Sequence, residues 1–229
     1  MDKNLTAISL FSGAGGMDIG VQQAGFTILS CLELDKNCCE KLRENISREN
    51  RKTIVYEGDI KEFAPEQLLK DLGYNPGEVD LLFGGPPCQA FSQIGKKQSL
   101  LDERGLLLFQ MVRYAKVIQP RAIMIEQVKG LLTAKDLSGK RGGVFEQFIN
   151  ELEELDYVPK WRVMLAADYG VPQLRERVFI VATKKPNGFQ FPNPTHSKPS
   201  ETMNLFNLPP YRTVGDVING LGEPVVKSD

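Results

Sequence analysis

Short apolar runs alternate with segments of helical spacing along most of this chain. The apolar runs predict buried strands at Leu5–Phe11, Phe26–Glu33, Thr53–Tyr56, Val79–Phe83, Ala122–Glu126, Val158–Ala167 and Arg177–Thr183. The helical spacing predicts one helix that follows the glycine-rich turn and ends near Ala24. It predicts four more helices at Lys36–Asn50, Pro65–Leu72, Gly105–Ile118 and Gly143–Leu155. Because the strands are nearly all apolar and alternate with helices, we expect an α/β fold: a mostly parallel central sheet with helices on both faces.

The last part of the chain differs in composition. Residues 186–229 hold seven of the fourteen prolines and show little periodicity. A length of 229 residues suits one large domain or two small ones. The sequence therefore predicts a folded domain over residues 1–185 and a proline-rich arm over residues 186–229.

Composition excludes several classes of protein. Hydrophobic residues at 41% and charged residues at 25% are close to globular averages. No apolar run approaches the roughly 20 residues that span a membrane, and the amino terminus lacks a cleavable signal layout. Four cysteines without a Cys-x-x-Cys pair favour a reducing cytoplasm over a disulfide scaffold. With His196 as the single histidine, no multi-histidine metal site is expected, so any chemistry rests on Cys, Asp, Glu and Arg.

The net charge of −1 hides a local basic segment. Residues 159–185 hold six Lys or Arg against two Asp or Glu. Such a segment can bind phosphates on a protein that is neutral overall. A solvated strand edge explains the same charges equally simply.

A glycine-rich turn and two acidic strand ends predict a nucleoside pocket. Gly13 and Gly15 follow the first strand, Glu33 ends the second, and Asp59 follows the third. Ligands bind beyond the carboxyl ends of strands in open α/β sheets, where Glu33 can bind ribose hydroxyls and Asp59 an adenine amino group. The third glycine of a dinucleotide fingerprint falls on Asp18, which we expect to repel a diphosphate at the helix start. A nucleoside without phosphates, such as S-adenosylmethionine, fits better.

Cys88 stands apart from the other three cysteines. Cys31, Cys38 and Cys39 lie in a predicted strand or helix and are interpreted as structural. Cys88 follows Gly84-Gly85-Pro86-Pro87 at the end of the fourth strand, where a stiff chain can fix the approach of a nucleophile. Glu126, on the next strand, is expected at the same sheet edge as an acid.

Taken together, these segments resemble the DNA (cytosine-5)-methyltransferase family. The segments that carry the resemblance, in family order, are Leu10–Gly16, Glu33–Asp35, Gly58–Ile60, Pro86–Ser92, Arg104–Leu107 and Gln173–Arg177. They extend over about residues 5–220, and the Pro-Pro-Cys-Gln and Gln-x-Arg-x-Arg elements are highly specific. The sequence departs from the family where the usual Glu-Asn-Val is Glu126-Gln127-Val128, which we expect to alter the support of the loop that bears Cys88.

The resemblance implies a Rossmann-like, S-adenosylmethionine-dependent methyltransferase fold and a reaction. The expected reaction is methylation at carbon 5 of a flipped-out cytosine in double-stranded DNA, through an adduct between Cys88 and carbon 6. Specificity of the restriction-modification type is expected when the enzyme is complete. The positions implied as catalytic are Cys88, Glu126, Arg175 and Arg177. Those implied for S-adenosylmethionine, and its product S-adenosylhomocysteine, are Phe11, Gly13, Gly15, Glu33, Leu34, Asp59, Ile60, Pro87 and Leu107. Those implied for DNA are Gln89, Ser92, Lys96 and Lys97, and no metal is implied.

Two other functions stay open at this stage. A transfer-RNA cytosine methyltransferase of the same family shares nearly all of these residues. An inactive binding subunit could keep the fold without turnover, although intact Cys88, Glu126 and Arg177 argue against it. We expect a prokaryotic, cytoplasmic protein associated with the nucleoid.

Family members normally continue beyond Thr213–Ile218 into a target-recognition region and closing motifs. These are not recognisable before Asp229. A truncated chain and a split enzyme with a second polypeptide both account for this. In either case we expect an exposed apolar patch at the partner surface, and low activity from this chain alone.

Overall fold

A seven-stranded sheet forms the centre of the molecule. The computed structural model describes residues 4–87, 107–184, 188–198 and 208–222. Strand order in the sheet is β3-β2-β1-β4-β5-β7-β6. The strands are β1 (Leu5–Leu10), β2 (Phe26–Glu33), β3 (Ile54–Glu57), β4 (Leu81–Gly84), β5 (Ala122–Gln127), β6 (Tyr157–Leu165) and β7 (Glu176–Lys184). The helices are α1 (Gly16–Gln23), α2 (Lys36–Arg48), α3 (Pro65–Leu72), α4 (Leu107–Ile118), α5 (Gly143–Glu154) and α6 (Val214–Ile218).

The first five strands are parallel and the helices connect them. β1 pairs in parallel with β2 and β4, β2 with β3, and β4 with β5. Because crossovers between parallel strands are right-handed as a rule, this strand order puts α1 and α2 on one face of the sheet and α3 and α4 on the other. The carboxyl ends of all five strands therefore meet at one edge, which is the edge that the sequence assigns to the site.

The sheet is buried on both faces. β1 contributes Ala7, Ile8 and Leu10, all without solvent exposure, and α4 contributes Leu108 and Met111 from one side. Tyr114 and Phe148 are among the largest fully buried side chains. At roughly 1.5–3 kcal/mol for each large apolar side chain buried, this core is the main source of stability.

The sheet is mostly parallel, as expected, and the exception is β7, which runs antiparallel to β5. Two features differ from the sequence-based expectation. The strand expected to reach Ala167 ends at Leu165, because a short 3-10 helix, Ala166–Tyr169, follows and Gly170 closes it with a φ of 82°. A second short 3-10 helix, Lys129–Thr133, follows β5.

Within residues 208–222 the structure contains the unexpected helix α6. Thr213 caps it: the Thr213 hydroxyl accepts from the Asp216 N–H, and the Asp216 carboxylate accepts from the Thr213 N–H. This reciprocal pair satisfies donors that a helix start otherwise leaves unpaired, which lets so short a helix form in a proline-rich segment.

The chain divides into two compact units. The first comprises Met1–Arg162 and Val178–Phe189, and the second comprises Val163–Arg177 and Gln190–Asp229. The division into a catalytic domain over residues 1–185 and an arm over residues 186–229 assigns functions to these ranges, and it stays a prediction. Among the described residues, no helix combines the length and the apolar character that crossing a membrane requires.

Candidate active site

The glycine loop, residues 12–16, connects β1 to α1 in a tight turn. The Ser12 N–H donates to the carbonyl oxygen of Leu32 at 3.3 Å, and the Gly15 N–H donates to Ser12 O at 3.1 Å. Gly13 and Gly15 have φ values of 55° and 91°, which favour glycine. A Cβ atom on Gly15 would also lie 2.9 Å from Leu42 Cδ2. The loop thus lies against the end of β2 and presents backbone rather than side chains.

Glu33 binds three backbone N–H groups with its carboxylate. Its Oε2 accepts from the Gly13 N–H at 2.8 Å, and its Oε1 accepts from the N–H groups of Leu34 and Asp35 at 2.9 Å and 2.8 Å. The side chain therefore joins the glycine loop to the end of β2. A carboxylate offers about four acceptor positions, so Glu33 keeps capacity for a ligand hydroxyl. Leu34, beside it, is 67% exposed.

Asp59 begins a turn beside Glu33. The Gly58 N–H donates to the Glu33 carbonyl oxygen at 2.9 Å, which fixes the end of β3 against that of β2. Asp59 Oδ1 accepts from the Lys61 N–H at 2.9 Å. Ile60, in contrast, is 3% exposed, so its side chain belongs to the core. The structure therefore places Glu33 and Asp59 at adjacent strand ends, as the sequence predicts.

Phe11 has a strained backbone at the end of β1. Its φ of 55° is rare for a bulky residue and costs of order 1–3 kcal/mol. Such strain persists only where the surroundings impose it, and it is common at ligand sites. Phe11 is half-buried at the same sheet edge as the glycine loop.

The turn that leads to Cys88 is packed tightly where it leaves β4. A Cβ atom on Gly84 would lie 2.2 Å from the Leu10 carbonyl oxygen, so only glycine fits there. Pro86 is buried and Pro87 is exposed. Cys88 and the predicted DNA-contacting residues that follow it lie outside the described residues, namely Gln89, Ser92, Lys96 and Lys97.

Glu126 and Gln127 meet this turn from the end of β5. A Cβ atom added to Gly85 would lie 3.4 Å from Glu126 Oε2, so the carboxylate is next to the turn. The side-chain amide of Gln127 donates to Pro86 O at 2.8 Å, and its Oε1 accepts from the Val128 N–H at 3.0 Å. Gln127, at 1% exposure, therefore supports the chain two residues before Cys88.

Arg175 and Arg177 lie in the second unit. The Ala166 N–H donates to the Arg175 carbonyl oxygen at 2.9 Å, which closes the loop between the 3-10 helix and β7. Arg177 Nη1 donates to Glu176 O at 2.8 Å. Arg175 is exposed and Arg177 is half-buried.

Two lysines of the basic segment have structural contacts. Lys160 Nζ donates to Phe189 O at 2.7 Å, and Lys184 Nζ donates to Leu155 O at 2.6 Å. Lys184 also lies 4.1 Å from the centre of the Tyr157 ring. Part of the local positive charge therefore serves the fold.

Asp18 has a different environment from the one its sequence position suggests. The residue is 3% exposed, and the Cys31 thiol donates to its Oδ1 at 3.1 Å. Its Oδ2 has no hydrogen-bond partner among the described residues. Burial raises the pKa of Asp18, and the Cys31 thiol offsets this only in part. The Asp18 side chain points into the protein, so direct repulsion by this carboxylate is not what would disfavour a diphosphate at the start of α1.

Sequence reasoning assigned Cys31 to the core and gave Asp18 no structural role. The sequence did contain a signal for this role, an acidic residue between apolar neighbours on α1. A carboxyl group at such a position must either be exposed to solvent or be buried with a hydrogen-bond partner. Cys39 has no solvent exposure whereas Cys38 is partly exposed, so the two neighbours face different ways, as predicted.

Comparison with known proteins identifies the family. Residues 5–223 match the model of the C-5 cytosine-specific DNA methylase family. The type II methyltransferase M.AquIA of Picosynechococcus sp. is 41% identical over 233 residues, covering 96% of this chain and 90% of the relative. M.NgoFVII of Neisseria gonorrhoeae, also a type II methyltransferase, is 36% identical over 93% of this chain and 52% of the relative.

Solved structures agree with this relationship. A prophage-encoded DNA modification methyltransferase from E. coli has a TM-score of 0.73 at 25% identity, over 96% of this chain and 56% of the other. Spodoptera frugiperda DNMT2 shares the fold with a TM-score of 0.62 at 21% identity, over 82% of this chain and 53% of the other. The chain thus spans about half the length of several proteins it matches, and nearly all of M.AquIA. The predicted methyltransferase fold is confirmed, and the chain belongs to the C-5 cytosine-specific DNA methylase family.

Proposed function

We propose that this protein transfers a methyl group from S-adenosylmethionine to carbon 5 of a cytosine flipped out of double-stranded DNA. The Cys88 thiolate adds to carbon 6, which makes carbon 5 nucleophilic toward the methyl group. After transfer, the carbon-5 proton is lost to a base and the bond to Cys88 breaks. The thiolate is regenerated and 5-methylcytosine stays in the DNA.

The observation that carries this proposal is the position of Glu126 beside the turn that leads to Cys88. The Glu126 carboxylate lies next to Gly85, three residues before the proposed nucleophile. An acid at this point can hold a proton at ring nitrogen 3 of the base that Cys88 attacks. We assign the cytosine carbonyl oxygen to Arg177, and phosphate or pocket ordering to Arg175.

The residues at the ends of β1, β2 and β3 fit S-adenosylmethionine. Glu33 has acceptor capacity left for ribose hydroxyls, and Asp59 at the adjacent strand end suits the adenine amino group. The exposed Leu34 offers an apolar surface to the adenine ring. When bound, S-adenosylmethionine supplies an electrophilic methyl group on a sulfonium centre. The remaining proposed contacts are Phe11, Gly13, Gly15, Ile60, Pro87 and Leu107.

Covalent trapping tests the nucleophile. DNA that contains 5-fluorocytosine should form a stable adduct with the wild-type protein, because fluorine cannot leave carbon 5 as a proton does. Cys88→Ser should form no adduct and transfer no methyl group, yet bind S-adenosylhomocysteine within about twofold of wild type. Cys38→Ser, at a partly exposed position, is the control that should still be trapped. Methyl transfer by Cys88→Ser would disprove the covalent mechanism.

The same assay separates the other two functions. Tritium transfer from labelled S-adenosylmethionine to DNA supports the proposal. Transfer to transfer RNA alone would show that transfer RNA, and not DNA, is the substrate. Absence of both transfer and trapping, in protein that binds the cofactor, would indicate a binding subunit.

We further propose that target recognition needs a polypeptide portion carrying a target-recognition region and closing motifs, in cis or as a second chain. The α6 segment exposes Val214, Ile218 and Leu221 at 58%, 49% and 73%, an apolar surface suited to such a portion. Residues 1–229 alone should methylate DNA poorly and without sequence preference. Adding that portion should restore site-specific activity, and robust site-specific methylation without it would contradict the proposal. We also propose that the protein acts in a prokaryotic cytoplasm, at the nucleoid, because its proposed substrate is DNA.

A further inference from the structure

The turn that carries Asp59 depends on side chains from α4. Within residues 58–64, the Lys61 N–H donates to Asp59 Oδ1 and the Glu62 N–H donates to Asp59 O, both at 2.9 Å. These two bonds are donated by backbone N–H groups of the turn itself. Carbonyl oxygens of the turn instead accept from side chains of α4, 50 to 54 positions later in the chain.

Arg113 donates to three of these carbonyl oxygens. Its Nη2 donates to Ile60 O at 3.4 Å and also to Phe63 O, and its Nη1 donates to Lys61 O at 3.4 Å. Hydrogen bonds from a charged donor are stronger than neutral ones, and the planar guanidinium fixes their directions.

Tyr114 reinforces the same carbonyl groups. Its hydroxyl lies 3.1 Å from Phe63 O and 3.4 Å from Ile60 O. Burial raises the pKa of Tyr114 to about 12, so the hydroxyl keeps its proton at neutral pH and acts as a donor. Two consecutive residues of α4 thus hold one turn.

The opposite side of the turn is fixed by Phe63. A Cβ atom on Gly58, whose φ is 151°, would lie 2.9 Å from Phe63 Cε2. The Phe63 ring also meets the Tyr56 ring edge-on, with centroids 5.8 Å apart. With Phe63 packed on one side and its carbonyl oxygen bound to Arg113 on the other, the turn has little freedom.

Leu107, a proposed cofactor contact, also lies on α4, so one helix carries both this residue and Arg113. We propose that Arg113 is a positioning residue that holds Asp59 in place to read the adenine amino group. This inference rests on the proposed function, because Asp59 matters only if an adenine is bound. Arg113 itself need not touch the cofactor.

Discrimination between two ligands tests this role. S-adenosylhomocysteine and S-inosylhomocysteine differ at the purine position that carries the amino group, which Asp59 is proposed to bind. Isothermal titration calorimetry on the 229-residue chain should show wild type preferring the adenosine form by about tenfold, the value of one well-placed hydrogen bond to a charged group. Arg113→Met should reduce this preference to about twofold, because the turn is no longer held.

Two further variants provide controls. Arg113→Lys, which keeps the charge but not the fork of donors, should give an intermediate preference. Lys116→Met removes an exposed cation from the same helix and should leave the preference unchanged. A role confined to stability would lower the melting temperature of Arg113→Met without changing the ratio of the two affinities, and would overturn the inference.

Asp59→Ala distinguishes the role of Asp59 at the adenine from the role of Arg113. If this variant keeps the wild-type preference, the adenine assignment itself is wrong and the inference falls with it. If Asp59→Ala loses the preference and Arg113→Met keeps it, only the role of Arg113 is overturned. Should Arg113→Met fail to fold, Tyr114→Phe removes a donor to the same carbonyl groups and should still reduce the preference.

Discussion

The side-chain amide of Gln127 joins two backbone groups at the end of β5. It donates to Pro86 O and accepts from the Val128 N–H, and it is buried. Both functions of the amide are used, so Gln127 holds the chain at Pro86. The effect of this longer side chain relative to the usual asparagine stays a prediction. Buried polar groups that lose a partner cost about 1–3 kcal/mol.

Gln127→Leu should therefore destabilise the protein and slow methyl transfer. We expect a loss of about 1–3 kcal/mol in the free energy of unfolding, because Pro86 O is left buried without its donor. Displacement of the following Cys88 should lower kcat by about tenfold or more and leave the affinity for S-adenosylhomocysteine unchanged. Urea unfolding and steady-state kinetics measure these effects.

Gln147→Leu, on the exposed face of α5, is the matched control. It should change stability by less than about 0.5 kcal/mol. Wild-type kcat in Gln127→Leu would show that the bond to Pro86 has no part in positioning Cys88.

Asp18 is a second residue whose surroundings determine a chemical property, here the pKa of its carboxyl group. Burial raises the pKa of its carboxyl above 3.8, while the Cys31 thiol and the more distant Arg51 offset this in part. A raised pKa in the folded state means that the folded protein holds this proton more tightly than the unfolded chain. Stability from this group is complete below about pH 4 and falls as the pH rises through the folded-state pKa.

Asp18→Asn should remove this pH dependence. The free energy of unfolding of the variant minus that of wild type should increase as the pH rises from about 4 to 8, because only the wild type loses stability over this range. Urea unfolding at several pH values measures the difference. Asp136→Asn should show the opposite slope, because the Ser138 hydroxyl lowers the pKa of Asp136. A difference for Asp18→Asn that is independent of pH would contradict the argument.

At the scale of elements, the contact between β1 and β4 sets the position of the turn that leads to Cys88. Leu10 and Gly84 are paired at the ends of these strands. A side chain at residue 84 would meet the Leu10 backbone at 2.2 Å, and neither strand can move without disturbing the core. The missing side chain therefore allows the close approach of two parallel strands.

Gly84→Ala should destabilise the protein by at least the roughly 1–3 kcal/mol typical of overpacking, because backbone rather than a flexible side chain must shift. Gly85→Ala should fold, since its new methyl group would lie 3.4 Å from Glu126 Oε2, but it should slow methyl transfer. Gly20→Ala, on the exposed face of α1, is the control and should be neutral or stabilising by up to about 1 kcal/mol. Thermal unfolding measures all three, and a wild-type melting temperature for Gly84→Ala would disprove the argument.

At the scale of the whole molecule, the order of the parallel strands assembles the site. Loops that follow β1, β2, β3, β4 and β5 are separated widely in sequence but emerge at one edge of the sheet. This is where ligands bind in open α/β folds. A ligand that binds there contacts several loops at once and should stabilise the fold by linkage.

S-adenosylmethionine should therefore raise the melting temperature, and NAD should not. At a concentration 100 times its Kd, a ligand stabilises the folded state by about 2.7 kcal/mol. Glu33→Ala should reduce this effect, since it removes both the proposed ribose contact and the acceptor of the Gly13 N–H. Glu44→Ala, at a surface ion pair with Lys41, should keep it. A shift with NAD but none with S-adenosylmethionine would overturn the cofactor assignment.

The sequence by itself determined the order of strands and helices and the chemistry at strand ends. Apolar runs and helical spacing are local signals, so the bounds of β2 and α3 agree with those predicted. Glycines at 13 and 15 and acids at 33 and 59 are equally local. They predict which loops carry the proposed site before any packing is known.

Only the tertiary structure decided which residues support those loops. Gln127 and Pro86 are 41 positions apart, and Arg113 and Phe63 are 50 apart. The thiol of Cys31 meets the carboxyl of Asp18 across the packing of α1 on β2. Such pairs depend on strand order and on helix rotation, and neither is encoded in the spacing of apolar residues. Buried polar partners are therefore determined by the fold, whereas the residues proposed to face a ligand were predicted from local sequence signals.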